Sequence, residues 1–347
     1  MIPTAVLRRR EAEGSVNVAV IGAGSWGTAL AQVAACNKHA VRLWARRDEV
    51  ACGINDLHHN PEYLKDAQLS ESIVASSSLP NVIADADAIV VVVPSKFLRS
   101  TANLLQAANV SPSVPVVICT KGVEGETGMV PVQIFEDVIG EPSRLAALSG
   151  PNHAEEIVHG IPAATVVASE SDDTARFFQD LLGSRTFRIY TSDDVLGVEL
   201  CAAFKNVIAI AVGVSYGLGY GDNTAAMLMT RGQAEMSRLV DAAGGNQLTC
   251  MGLAGTGDLI ATCMSRHSRN RSFGEALAGG MTVKQYEEAH HMVAEGAQAC
   301  RTLATLSNRF DVELPIADVV RSLVWEGVDP ASVAETLLSR TPKPEFY

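Results

Sequence analysis

The sequence predicts an α/β protein in which a mostly parallel sheet domain is followed by an all-helical C-terminal domain. Three observations predict it. The first half alternates short β-branched runs with helical stretches, and several runs are apolar throughout, as strands buried on both faces are. A glycine loop, Gly22-Ala23-Gly24-Ser25-Trp26-Gly27, separates the first run from the first helix. Beyond about Ser192 the strand signals stop, and helical periodicity with Gly-rich connections takes over.

Residues 1–15 form an N-terminal extension with three arginines and no apolar core, unlike a secretory signal. Strands are expected at Val16–Ile21 and Val41–Trp44, flanking a helix from about Trp26 to Cys36, and again at Ala88–Val93, Val114–Cys119, Ala163–Ala168 and Phe187–Tyr190. The sheet domain is expected to span 16–192. Helices are expected at Val195–Val214, Met227–Ala242, Phe273–Leu277, Ala294–Asn308, Ile316–Trp325 and Pro330–Leu338, giving a helical domain over 193–340. The triplet Ser192-Asp193-Asp194 suits its opening, because carboxylates there meet free helix N–H groups. A tail at 341–347, with two prolines, is expected on the surface.

The chain has 347 residues, 47% hydrophobic and 19% charged, with 39 acidic against 27 basic side chains and a net charge of −12. That balance excludes duplex nucleic acid, which needs a basic face. The longest apolar runs, Ala88–Val93 and Val207–Val214, fall far short of the roughly 20 residues of a membrane span, so no membrane insertion is expected. The seven cysteines, at 36, 52, 119, 201, 250, 263 and 300, contain no C-x-x-C pair and read as buried reduced thiols in a cytoplasm. No metal site is indicated: the adjacent His290 and His291 diverge by about 100° on a helix, and no third ligand accompanies them.

The glycine loop carries the first functional signal. After a strand and before a helix, the G-x-G-x-x-G pattern is a Rossmann dinucleotide-binding fingerprint, in which Gly22 permits a tight turn, Gly24 lets backbone approach a pyrophosphate, and Gly27 lets helix and strand pack closely. The cofactor is therefore NAD or NADP. An NAD site usually offers a carboxylate about 20 residues on for the ribose 2′-hydroxyl. Here the second strand ends in Arg46-Arg47, which suits a 2′-phosphate and favours NADPH, although Asp48 and Glu49 follow.

Two lysines stand out by position. Lys121 follows the strand ending at Cys119, at the carboxyl end of the sheet where open α/β folds bind ligands. Lys205 sits in Leu200-Cys201-Ala202-Ala203-Phe204-Lys205-Asn206-Val207-Ile208-Ala209, where it either snorkels to water or is a partly buried amine able to exchange a proton. Ser268-Arg269-Asn270-Arg271 reads as a capped helix start, where backbone N–H groups and a guanidinium fork can cradle a phosphomonoester.

Together with Lys121-Gly122, Ser149-Gly150-Pro151-Asn152 and Gly257-Asp258-Leu259, these motifs occur in an order and spacing that resembles bacterial-type NAD(P)-dependent glycerol-3-phosphate dehydrogenase, from about Val16 to Leu338. The resemblance implies reversible reduction of dihydroxyacetone phosphate to sn-glycerol 3-phosphate, which feeds phospholipid synthesis. It implies that Lys205 is the proton donor or acceptor at the C2 oxygen, with Asp258 orienting it, Asn206 beside it, and Lys121 counted with Lys205 and Asp258 as catalytic. It places Ser25, Trp26, Arg46, Ala154, Val293 and Glu295 at the cofactor, Lys121 and Arg269 near both ligands, and Gly150, Asn152, Asp258, Ser268 and Asn270 on the substrate side. It also implies a homodimer through the helical half. His153 lies where the family varies and is given no role. Lys121, Lys205, Arg269 and Arg46 are expected to gather at the cleft between domains, so that a chain of net charge −12 still presents cations to a phosphate. Two other readings fit the dinucleotide fingerprint: a related two-domain dehydrogenase for another hydroxy acid or phosphosugar, and a non-catalytic NADPH-binding redox sensor.

Overall fold

The computed structural model describes residues 14–266, 268–290, 295–333, 339 and 344–345. Its strands are β1 (Asn17–Ile21), β2 (Ala40–Trp44), β3 (Ile73–Ser76), β4 (Ala88–Val91), β5 (Val116–Ile118), β6 (Leu145–Ser149), β7 (Ala163–Ala168) and β8 (Phe187–Ser192). They form one sheet in the order β3-β2-β1-β4-β5-β6-β7-β8. Neighbours are parallel except β6 and β7, which run antiparallel with Leu148 opposite Val167. β4, β5 and β6 are buried along their whole length, which explains their continuous apolar runs.

Helices in the first part are α1 (Ser25–Cys36), α2 (Asp48–Leu57), α3 (Leu79–Ile83), α4 (Leu98–Ala107), α5 (Pro131–Ile139), α6 (Ala154–Ile157) and α7 (Asp172–Leu182). The connection from β6 to β7 holds only the one-turn α6, too little to carry the chain across the sheet and back, so β7 returns antiparallel. Two strands lie outside the sequence expectation. β3 is a four-residue edge strand, and β6, Leu-Ala-Ala-Leu-Ser, is made of residues that favour a helix but is held as a strand by neighbours on both sides.

The chain divides into two compact units. The first runs to Glu124 and again from Met129 to Glu199; the second comprises Gly125–Gly128 and the chain from Leu200 on. The division falls inside α8 (Val195–Gly217), whose start is capped by Asp194, its Oδ1 accepting from the Gly197 N–H at 2.9 Å. Beyond it come α9 (Asp222–Ala242), α10 (Asp258–Met264), α11 (Arg269–Ala278), α12 (Val283–His290), α13 (Glu295–Phe310) and α14 (Pro315–Trp325). The helix expected from Pro330 is present to Val333; its remainder, the extension before Gly14 and most of the tail lie outside the described residues.

Two expectations need correction. By length and composition α8 could cross a membrane, contrary to the run-length argument, because small residues, Glu199 and Lys205 interrupt its apolar runs while its mean hydropathy still reaches 1.9; 89% of its apolar window is buried in protein, as in a core helix. Of the seven cysteines, Cys36, the last residue of α1, and Cys52, on the solvent side of α2, are exposed; the other five are buried, and all are free thiols.

Two buried carboxyls substitute for helix caps. Both oxygens of Glu199 accept from the Val132 N–H at 3.1 and 3.2 Å, and Glu235 accepts from the Ile316 and Ala317 N–H groups at 2.8 and 3.3 Å. Each meets a helix that starts with proline and whose N-cap residue, Val130 or Leu314, carries no side-chain acceptor. Burial pushes Glu199 up to about 8 and Glu235 up to about 7, against the partial opposition of these N–H bonds. The folded chain therefore holds protons that the unfolded chain has released, so stability is fully present below the ordinary carboxyl range and falls as pH rises towards 8. The Tm of the native protein is expected to drop more between pH 5 and pH 8 than that of Glu199→Gln/Glu235→Gln, by several degrees at about 2–4 °C per kcal/mol. Equal slopes would refute this account.

Candidate active site

In the first unit the chain turns after β1 at Gly22, with φ +119°, where a Cβ would also stand 2.6 Å from the Val92 carbonyl oxygen. At Gly27 a Cβ would stand 1.8 Å from the Gly22 carbonyl oxygen, so only glycine lets α1 begin this close to β1. Gly24 differs: a Cβ there would meet nothing within 4 Å. It is the N-cap of α1, and no side chain caps the helix, so uncapped N–H groups border open space. That arrangement fits a pyrophosphate. β1 lies between β2 and β4, where the strand order reverses, which is the usual ligand position in such sheets. Ser25 opens the helix, and the Trp26 ring packs edge-on to Phe187 at 6.3 Å.

At the end of β2 the two arginines separate. Arg47 is the N-cap residue of α2, and its guanidinium is paired with Glu62. Arg46 is exposed, with no ion pair among the described residues. The expectation of two cations without a carboxylate is corrected here, because the fold brings Glu62 back onto Arg47.

The turns after β5 and β6 bring Lys121, Gly150 and Asn152 together. The Thr120 hydroxyl donates to the Val93 carbonyl at 2.6 Å, and Lys121 Nζ donates to the Gly150 carbonyl at 3.1 Å. Gly150 is pressed against β7, where a Cβ would stand 2.8 Å from Thr165 Oγ1. Asn152 Nδ2 donates to that same oxygen at 2.9 Å. Ala154 begins α6 and is buried.

In the second unit Lys205 does not snorkel. Its side chain is 7% exposed, and Nζ lies 2.9 Å from Oδ1 of Asp258, itself 3% exposed. Nζ also donates to Thr262 Oγ1 at 2.5 Å, and Thr262 donates to Asp258 Oδ1 at 3.3 Å, closing a triangle. A buried charge is tolerated only when paired in this way. Asp258 enters α10 from a π-helical turn, Leu253–Gly257, in which a Cβ on Gly255 would stand 2.0 Å from the Cys250 carbonyl oxygen. Burial pushes the neighbouring Cys263 thiol up to about 12, so it stays neutral beside the pair. Thr262 is the residue that sequence reasoning missed. Its signal was the spacing of four from Asp258, which puts both on one helix face.

At the start of α11, Ser268 Oγ accepts from the Arg271 N–H at 3.3 Å. Arg271 is occupied by Glu275 at 2.9 Å and the Met264 carbonyl at 2.8 Å. Arg269 is exposed, and its guanidinium has no partner among the described residues. Asn270 is buried and engages both ends of its amide, donating to Asn206 Oδ1 at 2.9 Å and accepting from the Gly296 N–H at 3.0 Å. Asn206 keeps its own NH2 for another partner, one residue from Lys205. Glu295 opens α13. Val293 lies outside the described residues.

Comparison with known proteins finds matches over most of the chain. A family model described as NAD-dependent glycerol-3-phosphate dehydrogenase N-terminus matches residues 17–175, and one described as its C-terminus matches 194–335. The chain is 46% identical to Glycerol-3-phosphate dehydrogenase [NAD(P)+] of Corynebacterium urealyticum, over 95% of this chain and 100% of that protein. It is 45% identical to Glycerol-3-phosphate dehydrogenase [NAD(P)+] 2 of Mycobacterium tuberculosis, over 94% and 98%. Among solved structures, glycerol-3-phosphate dehydrogenase from Coxiella burnetii superposes with a TM-score of 0.89 at 34% identity, covering 94% of this chain and 99% of that one.

Proposed function

The chain belongs to the NAD-dependent glycerol-3-phosphate dehydrogenase family, and on that premise we propose that Lys205 is the proton donor and acceptor for interconversion of dihydroxyacetone phosphate and sn-glycerol 3-phosphate. The chain is an oxidoreductase that uses NAD or NADP. One observation carries the assignment of Lys205: a buried ammonium held between Asp258 and Thr262 in a mostly apolar helix.

Gly22, Gly24 and Gly27, with Ser25 and Trp26 at the helix start, would hold the nicotinamide cofactor, which when bound would supply or accept the hydride at the substrate C2. Every other task falls to the chain. Lys205 donates its proton to the C2 oxygen as negative charge develops there, and takes it back in the reverse direction. Asp258 keeps the amine protonated until transfer and fixes its direction, while Thr262 limits its rotation. Arg269, beside the Ser268 cap, takes the phosphate, and Asn206 contributes a neutral N–H next to Lys205. Lys121, steered by the Gly150 carbonyl, adds a cation on the cofactor side.

NADPH is the preferred cofactor on this reading, through Arg46 alone. With dihydroxyacetone phosphate and the nicotinamide absorbance as readout, kcat/KM should be higher for NADPH than for NADH. Arg46→Ala should lower the NADPH value by about 10-fold and leave NADH unchanged, the loss of one charge-assisted hydrogen bond. Arg47→Ala should change neither. A preference for NADH would remove the 2′-phosphate role, and an inactive wild type would remove the functional reading itself. The protein works in the cytoplasm as a homodimer on this reading, which free thiols and the exposed apolar side chains of Leu248, Met251, Ile260 and Met264 in the second unit support.

A further inference from the structure

We infer that Thr165 is a positioning residue, which locks the Asn152 amide so that its oxygen accepts the free hydroxyl of dihydroxyacetone phosphate; this rests on the substrate reading above. Thr165 is fully buried on the antiparallel strand β7, against the turn Ser149–His153 that ends β6. Its hydroxyl has a single proton, which it donates to the Ser149 carbonyl at 2.8 Å. Towards Asn152 it can therefore only accept, and it does so from Nδ2 at 2.9 Å. Turning the amide over would either set two acceptors against each other or take the hydroxyl proton away from the Ser149 carbonyl. The orientation is decided by this chain of bonds, and Oδ1 is left as an acceptor.

That oxygen is shielded from solvent and finds no hydrogen-bond partner among the described residues; the same holds for Ser149 Oγ and His153 Nε2 in the same turn. Each such atom costs about 1–3 kcal/mol, so three within one turn mark a surface completed by a ligand. His153, to which the sequence assigned no role, belongs to that surface.

The polarity of Oδ1 then identifies what it meets. An acceptor needs a donor, and neither a phosphate dianion nor a ketone has one. The free hydroxyl is the only donor that dihydroxyacetone phosphate offers. Asn152 therefore reads the unphosphorylated end of the substrate.

The test compares kcat/KM for dihydroxyacetone phosphate with that for hydroxyacetone phosphate, its analogue with a methyl group in place of the hydroxymethyl. The wild type should prefer the former by on the order of 10² or more, as a site built around a hydroxyl does. Thr165→Val and Asn152→Ala should each shrink that ratio about 10-fold, and Thr165→Ser should restore it. A general loss of folding would lower both substrates alike, and Thr165→Ser with Asn152→Ala decides the matter if Thr165→Val is unstable. An unchanged ratio in the variants would overturn the inference. So would a change seen only between NADPH and its 3-acetylpyridine analogue, which would give Oδ1 to the cofactor amide. A wild type inactive on dihydroxyacetone phosphate would remove the functional reading and this inference with it, and is distinguishable because no ratio could then be measured.

Discussion

Replacing Lys205 with alanine is expected to lower kcat by about 10²–10⁴-fold, the usual contribution of a positioned general acid, while cofactor affinity stays within a small factor of the wild type. The size follows from the geometry. Lys205 Nζ lies directly against Asp258 Oδ1, and Thr262 can pass a proton only through its own hydroxyl. The substitution also strands a buried carboxylate, which typically costs about 3–5 kcal/mol of stability. Melting temperature and NADPH titration must therefore accompany the kinetics. Lys205→Ala/Asp258→Ala should recover part of the lost stability and none of the turnover. Near-normal kcat in Lys205→Ala would return the residue to a packing role.

Arg269→Ala is expected to raise KM for dihydroxyacetone phosphate by about 10²–10³-fold, and to leave kcat/KM for dihydroxyacetone, which has no phosphate, nearly unchanged. A guanidinium meeting a phosphate makes charge-assisted bonds of about 1.5–3 kcal/mol each, and two in a fork account for the upper figure. Arg271 cannot substitute, because Glu275 and the carbonyls of Cys263 and Met264 already occupy it. Arg271→Ala should therefore show itself mainly in stability. Equal losses on both substrates in Arg269→Ala would place the phosphate elsewhere. Raising ionic strength should weaken binding of the phosphorylated substrate more than that of dihydroxyacetone, since only the former is held by charge.

Much of the site was legible because its signals are local. The glycine loop is a constraint on a few consecutive residues: Gly22 needs a positive φ, Gly27 needs room against its own turn, and Gly24 needs to leave space open. Strands buried on both faces declare themselves as apolar runs, and the end of those runs near Ser192 marked where the sheet stops. The lysine in α8 was conspicuous for a similar reason, as one charge in a run of apolar neighbours.

What the sequence by itself determined was thus the fold class, the dinucleotide turn and the identity of the residues that carry charge. Tertiary structure alone decided what those charges meet. Whether Lys205 reached water or stayed buried depended on Asp258 and Thr262, the latter 57 residues away along the chain. Which of Arg46 and Arg47 stayed free depended on Glu62, and which of Arg269 and Arg271 stayed free depended on Glu275 together with two carbonyls. Likewise β6 is a strand only because β5 and β7 flank it, and Thr165 acts on Asn152 only because β7 turns back antiparallel. The physical reason is common to all of these. Backbone conformation and periodic burial are set by neighbours in the chain, whereas hydrogen-bond and ion-pair partners are set by neighbours in space.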